Sequence, residues 1–242
     1  MREACVIAAT VLDEMVKMAQ PGISTWELDQ AARNLMAEFS ARSACYKYKN
    51  GSLRFPGYTC LSMNDEIIHG IASKDRVLQS GDIISMDVSL FHQGFVGDNT
   101  RTVVIGETSP EILRLVKTTE EAMYAGIACA LAGNRVGDIS SAIQQYAESA
   151  GYGIIREFTG HGVGRKLHEE PEVPNYGTAG TGPLLRPGMT IAIEPMVSMG
   201  SPAIRIGSDG WTVYTKDGKP SSHSEHTVLI TDGEPEILTV RR

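Results

Sequence analysis

Apolar residues recur at helical intervals from the start of the chain. Ile7, Val11, Met15 and Met18 predict a first helix, which the Pro21-Gly22 pair ends. Ser24 followed by Glu27 has the spacing of a capping box and predicts a second helix to about Phe39. Residues 44–60, rich in Tyr, Lys and Gly, read as a loop, and strand-like apolar runs follow at 60–70, 82–91 and 95–105. Ser109-Pro110 predicts the start of a third helix, to about Ala132. A fourth follows Asp138, through Ala142, Ile143 and Tyr146, and runs at 189–199 and 225–231 read as strands. Helices and strands in this order predict one α+β domain spanning 1–242.

The pattern also echoes itself. LQSGDIISMD at 78–87 resembles LRPGMTIAIE at 185–194, with Leu78 on Leu185, Gly81 on Gly188, Ile84 on Ile191 and Asp87 on Glu194. Two predicted helices precede each copy. Two pseudo-symmetric halves, about 1–106 and 107–242, would each give helices to the outside and strands to a shared sheet. A ligand between them would receive one acid from each.

Two acids break the expected alternation. In SMDVSLFHQGFVGDNTRT (85–102), Asp87 and Asp98 each interrupt a β-rich run on either side of a turn at Gln93-Gly94. An even loop there places Ser89 opposite Asp98 and Asp87 opposite Thr100, so that both carboxylates share one face as diagonal neighbours. Two carboxylates aimed at one space repel unless a proton or cation lies between them. A solvated polar stripe of Ser85, Asp87 and Ser89 would explain the hairpin alone equally well. The second half adds His161 and His168 in the Gly-rich stretch GHGVGRKLHEEP, Glu194 in IAIEPMV and Glu225 in SEHTVLI. Asp87, Asp98, His161, Glu194 and Glu225 together offer hard oxygen donors with one imidazole. That set suits Mn²⁺, Fe²⁺ or Co²⁺ better than a thiolate-type structural zinc site, with Zn²⁺ on oxygen and nitrogen donors also open. Four carboxylates exceed the needs of one ion, so two divalent ions are expected.

Composition sets the class. Among 242 residues, 42% are hydrophobic and 21% charged, as in ordinary globular proteins. A net charge of −7 argues against nucleic acid as the main ligand. No apolar run approaches the roughly 18 residues of a membrane span, and MREACVIAATVLDEM lacks the pattern of a signal peptide. Cys5, Cys45, Cys60 and Cys129 form no CxxC, so a reducing cytoplasm is expected.

These motifs, with SMNDEIIHG (62–70), DGWTVYTKDG (209–218) and EHT (225–227), resemble the type I methionine aminopeptidases across nearly the whole chain. The resemblance implies the pita-bread fold, a central curved antiparallel sheet covered by helices. It implies that Asp87 and Asp98 bind the first and second metals with Asp98 bridging, that His161 and Glu194 complete the second site, and that Glu225 bridges. The implied activity is removal of the initiator methionine from nascent proteins when the second residue is small. A water activated between the ions attacks the first peptide carbonyl, Glu194 carries the proton to the leaving amine, His168 stabilises the tetrahedral oxygen and His69 contacts the scissile amide nitrogen. The methionine side chain would sit among Cys45, Phe55, Cys60, Leu167 and Trp211. A monomer is implied, with the N-terminal methionine of nascent peptides as partner and transient ribosome contact.

The chain departs from the family pattern at four places. Residues 46–54 (YKYKNGSLR) are longer than usual, leaving Tyr46 or Tyr48 to supply an expected aromatic. Ile68 stands where cysteine is common, and His223-Ser224 where glutamine and an aromatic are usual. The chain also starts inside its first helix, where relatives have a short leading segment. Two rival readings are another pita-bread hydrolase, such as a Xaa-Pro aminopeptidase or dipeptidase, and a catalytically silent peptide- or ribosome-binding relative. The first usually carries a large N-terminal domain and the second typically loses metal ligands.

Overall fold

A computed structural model of the chain describes residues 1–240. Among them are four helices, α1 (Arg2–Met18), α2 (Thr25–Glu38), α3 (Pro110–Ala128) and α4 (Val136–Ser149). The main sheet contains the short strand Arg42–Ser43, then β1 (Cys60–Met63), β2 (Ile83–His92), β3 (Phe95–Val104), β4 (Thr159–Gly162), β5 (Glu169–Pro174), β6 (Thr190–Ile193) and β7 (Glu225–Leu229), and ends with Glu236–Ile237. Across the sheet the order is Arg42–Ser43, β2, β3, β7, β6, β4, β5, with β1 also on β2 and Glu236–Ile237 on β7. The β3–β7 junction thus joins the hairpin of the first half to strands of the second, as an α+β fold with a central antiparallel sheet requires.

Strand alternation divides β2 between two environments. Ile84, Met86, Val88 and Leu90 pack with Val11, Leu12 and Met15 of α1 and Leu28, Ala32 and Met36 of α2. Ser85, Asp87 and Ser89 point the other way. The register is the expected one: Ser89 pairs with Asp98 and Asp87 with Thr100, around a turn with Gln93 and Gly94 both at positive φ. In the second half Ile139 and Ile143 of α4 and Met123 and Ile127 of α3 pack on Ile191, Ile193 and Val228. Each such fully buried side chain contributes about 1.5–3 kcal/mol of transfer free energy. Helices therefore cover one face of the sheet, and the acids lie on the other.

Local signals explain the helix ends. Ser24 Oγ accepts from the Glu27 amide at 3.2 Å while Glu27 Oε2 accepts from the Ser24 amide at 2.8 Å, the reciprocal box expected for α2. α3 starts as expected at Pro110, capped by Ser109. It stops at Ala128 instead of Ala132, because the Cys129 and Ala130 amides turn back to the Gly126 and Ile127 carbonyls. α4 starts at Val136, ahead of the expected Asp138: that carboxylate lies inside the first turn and accepts from the Arg135 amide at 2.7 Å.

Two strand expectations and one loop expectation need correction. The run at 60–70 splits into β1 and Glu66–Ile68, broken at Asn64, whose φ is 54°. The run at 189–199 splits into β6 and Met196–Ser198, broken at Glu194-Pro195. The supposed loop at 44–60 contains a small hairpin, Lys49–Asn50 with Leu53–Arg54. Two further three-stranded sheets, Ile204–Ile206/Val213–Thr215/Glu66–Ile68 and Ser221–His223/Met196–Ser198/Gly153–Ile154, border the acid-bearing face.

The two segments that echo each other make equivalent local contacts. Gly81 and Gly188 have φ of 101° and 91°. Their amides donate to Ile105 at 2.7 Å and Ile230 at 2.9 Å. Isolated bridges link Ser24, the N-cap of α2, to Val77, and Arg135, the N-cap of α4, to Leu184.

Gly97 faces α1, and a Cβ there would fall inside contact distance of the Ala4 carbonyl. Gly97→Ala must push α1 off β3, and overpacking of this kind costs about 1–3 kcal/mol. A lowered melting temperature with the fold retained is expected by circular dichroism; an unchanged value would show that the helix rides free of the sheet.

Candidate metal centre and active site

The hairpin and the crossing strands bring the predicted residues to one cavity of about 440 Å³. Asp87, Asp98, His161, Glu194 and Glu225 all line it, as do His69, His168, Cys45, Phe55, Cys60, Leu167 and Trp211. Strand pairing sets their spacing. Asp87 and Asp98 are diagonal across β2 and β3, and Glu225 opens β7 directly opposite Thr100. One donor oxygen from each of Asp87, Asp98 and Glu225 lies within 4.8 Å of the other two. His161 Nε2 is 3.4 Å from Glu194 Oε1 and 3.9 Å from Asp98 Oδ2. Its Nδ1 lies 2.9 Å from the Gly162 carbonyl, which can only accept, so Nδ1 donates there and Nε2 is the ring nitrogen turned toward the acids.

The electrostatics of this cluster call for positive charge. Burial, then the charge of Asp98, pushes Asp87 up to about 7. Burial likewise pushes Asp98 up to about 7, with Glu194 adding repulsion. Glu194 rises to about 8, chiefly through burial, against the opposing pull of His161. Glu225 lies well above the usual carboxylate range, from burial and then the charges of Asp98, Glu194 and Asp87. Glu225 Oε2 accepts from Thr100 Oγ1 at 2.8 Å, while Oε1 is buried with no hydrogen-bond partner. Crowded oxygens, one of them orphaned, with an imidazole nitrogen aimed among them, fit divalent cations.

The apolar end of the cavity is one packed cluster. Cys45, Phe55, Cys60 and Trp211 are mutually buried, with Ile71 against them. The Phe55 and Trp211 rings meet edge-on at 5.4 Å. Asp29 of α2 anchors the approach to Cys60, accepting from the Tyr58 and Thr59 amides at 2.8 and 2.9 Å. Leu167 lines the cavity outside this cluster.

His69 and His168 flank the acids. His69 sits at φ 58° between Ile68 and Gly70, its ring edge-on to Phe158 at 5.8 Å. Burial, then the charges of His223 and His168, lowers it to about 4. His168 stands at the mouth with its ring 4.4 Å from that of His161; enclosure by its neighbours, then the His161 charge, lowers it to about 4. Both imidazoles are therefore neutral at pH 7.

Two cavity residues were incompletely resolved by sequence reasoning. Of the two tyrosines offered for the missing aromatic, Tyr48 lines the cavity, whereas Tyr46 stacks on Tyr58 at 4.5 Å. His223, noted in the sequence as a departure from the family pattern, is buried, and its Nε2 lies 3.5 Å from Glu194 Oε2 with no hydrogen-bond partner. Glu194 thus has an imidazole beside each oxygen. Lys49 and Asn50, unremarked in the sequence, also reach the cavity.

Residues 1–232 match metallopeptidase family M24. The chain belongs to this family. As an M24 metallopeptidase it is a metal-dependent hydrolase, in agreement with the acid cluster. It is 46% identical over 240 residues to the methionine aminopeptidase of Clostridium acetobutylicum, covering 99% of this chain and 94% of that one. The crystal structure of methionine aminopeptidase from Thermotoga maritima superposes with a TM-score of 0.95 at 41% identity, covering 100% of this chain and 95% of that one. The prolidase from Pyrococcus horikoshii shares the fold, with a TM-score of 0.78, at 23% identity and 61% coverage of that longer chain. No helix among the described residues is long and apolar enough to cross a membrane.

Proposed function

We propose that this M24 metallopeptidase removes the N-terminal methionine from peptides and nascent proteins whose second residue is small. One observation carries the reading: the acid cluster and the Cys45–Phe55–Cys60–Trp211 cluster share a single cavity. An unbranched thioether suits such a pocket, since sulfur packs favourably against aromatic edges and thiols. The names of relatives matched along 94% of their length support the same substrate.

Asp87, Asp98, His161, Glu194 and Glu225 would hold two divalent ions, with Co²⁺, Mn²⁺, Fe²⁺ and Zn²⁺ all compatible with the donors. Bound there, the ions supply Lewis acidity, bringing the ionisation of water near neutral pH and polarising the scissile carbonyl. Glu194 takes on its carboxylate the proton lost by the attacking water and passes it to the leaving amine. Neutral His168 donates a ring N–H to the carbonyl oxygen as negative charge develops there, and His69 positions the scissile amide nitrogen. The Phe55–Trp211 end excludes water from the methionine side chain.

Residues 1–106 and 107–242 are, in this reading, two copies of one unit within a single catalytic domain. The paired glycines and the paired bridges ahead of them support it. A monomer in the cytoplasm with brief ribosome contact completes the proposal, and four cysteines without a disulfide accord with a reducing compartment.

A peptide assay tests the substrate. With added Mn²⁺ or Co²⁺, Met-Ala-Ser releases free methionine, while a Xaa-Pro peptide and a Met peptide with a bulky second residue are cut at less than about one-hundredth of that rate. Preferential cleavage of the Xaa-Pro peptide would replace this reading with the rival hydrolase. No cleavage of any peptide would favour the silent relative.

A further inference from the structure

We propose that Tyr48, carried on the extended 46–54 segment, is a positioning residue that fixes the tautomer of His168 so that its Nε2–H faces the substrate oxygen. The proposal rests on the reading of His168 as the donor to that oxygen and adds what holds the donor in the required form.

The Tyr48 hydroxyl lies 3.0 Å from His168 Nδ1, and the two rings meet edge-on with centroids 5.6 Å apart. A neutral imidazole has one N–H and one lone pair, and the group bonded to one nitrogen decides which the other presents. A phenol is a stronger acid than a neutral imidazole N–H, and an imidazole nitrogen is a better acceptor than a phenol oxygen. The hydroxyl therefore donates to Nδ1, and the proton resides on Nε2. The opposite tautomer would turn a lone pair toward a carbonyl oxygen gaining negative charge, which repels it. The protein uses the same device on the neighbouring imidazole, where the Gly162 carbonyl holds the His161 proton on Nδ1. The two rings touch, yet their hydrogen-bond partners place a proton on Nδ1 of one and on Nε2 of the other.

The placement of Tyr48 follows from its local structure. Its carbonyl accepts from the Phe55 amide at 2.9 Å and its amide donates to Cys45 at 2.8 Å. The Lys49–Asn50/Leu53–Arg54 hairpin starts directly after it. Tyr48 is thereby tied to two residues of the apolar pocket, so the same segment that shapes that pocket also orients His168.

Tyr48→Phe tests this, because it keeps the ring against His168 and removes only the hydroxyl. In long-range ¹H–¹⁵N spectra of the metal-free full chain at pH 8, His168 is expected as the Nε2–H tautomer, becoming a mixture in the variant. In the metal-loaded enzyme, kcat for Met-Ala-Ser should fall about tenfold with KM little changed, the size typical of lost support to a working histidine. In a His168→Ala background, Tyr48→Phe should have no further effect. The proposal is overturned by a wild-type Nδ1–H tautomer, by unchanged kcat in the variant, or by an equal loss in the His168→Ala background. The spectra keep the test independent of the substrate reading: if no methionine is released by wild type, the tautomer still decides the role of Tyr48.

Discussion

Asp98→Ala should abolish methionine release while making the metal-free protein more stable. Asp98 lies at the centre of the cluster, its oxygens close to Asp87, Glu225 and His161. Removing it takes away one of the carboxylates that would hold the ions, and the loss of several kcal/mol of metal-derived stabilisation corresponds to about a 10³-fold fall in turnover. The same change relieves repulsion among buried acids, because the charge of Asp98 contributes to the raised values of Asp87 and Glu225. After chelation, the melting temperature of Asp98→Ala should therefore exceed that of wild type. Asp98→Asn, which keeps the volume and removes the charge, should behave alike in both respects. Bound metal per chain, measured by elemental analysis, should fall below the wild-type value. Unchanged turnover in either variant would remove Asp98 from the metal site, and a lower metal-free melting temperature in both would refute the account of repulsion.

The second large effect is a pH dependence that metal reverses. Asp87 and Asp98 titrate at about 7 and Glu194 at about 8 in the fold, against ordinary carboxylate values near 4 in the unfolded chain. The folded state then holds extra protons on these groups, so the stability associated with them is present at low pH and is lost as pH rises through 7 and 8. Histidines oppose this at lower pH. His69, His168, His223 and His226 are each depressed to about 4, so the unfolded chain binds more protons there, and their contribution is lost as pH falls below about 6.5. The two trends offset one another between about pH 4.5 and 6.5, and only the acids act above it. Chelated protein should therefore melt at a similar temperature across the lower interval, then at least about 5 °C lower at pH 8 than at pH 6.5. With Mn²⁺ present the fall should vanish, since the ion replaces the protons and binds better as they leave. Thermal melts at both pH values, with and without chelator, give the comparison. A chelated protein equally or more stable at pH 8 would contradict these charge assignments.

Much of the site was legible because strand parity is strict. Once Gln93-Gly94 was taken as the turn, the register of Asp87 and Asp98 followed, and the long hairpin obeyed it. Ser24 with Glu27 and Ser109 with Pro110 are signals carried within one helical turn, and both marked true starts. What escaped was structure made from very short strands. Thr159–Gly162 reads as a Gly-rich turn, yet Gly160 is required there because a Cβ would meet the Ala192 carbonyl across the sheet. Lys49–Asn50 and Leu53–Arg54 have no apolar alternation at all, being exposed on both faces. Asp138 resembles an N-cap but works from inside the helix, a distinction that depends on the distant Gly180 amide it also binds at 2.7 Å. Tyr46 and Tyr48 could not be separated from sequence, since either was in reach of the pocket and only the fold of the hairpin chooses.

The long β2–β3 hairpin, hydrogen-bonded along its whole length and clamped from behind by α1, leaves Asp87 and Asp98 little freedom to move apart. Glu194 is differently placed, just past the last paired residue of β6 and ahead of a proline that cannot extend the ladder. Of the five clustered donors, Glu194 is the one outside a paired strand, so fitting cations of unequal radii would fall to it.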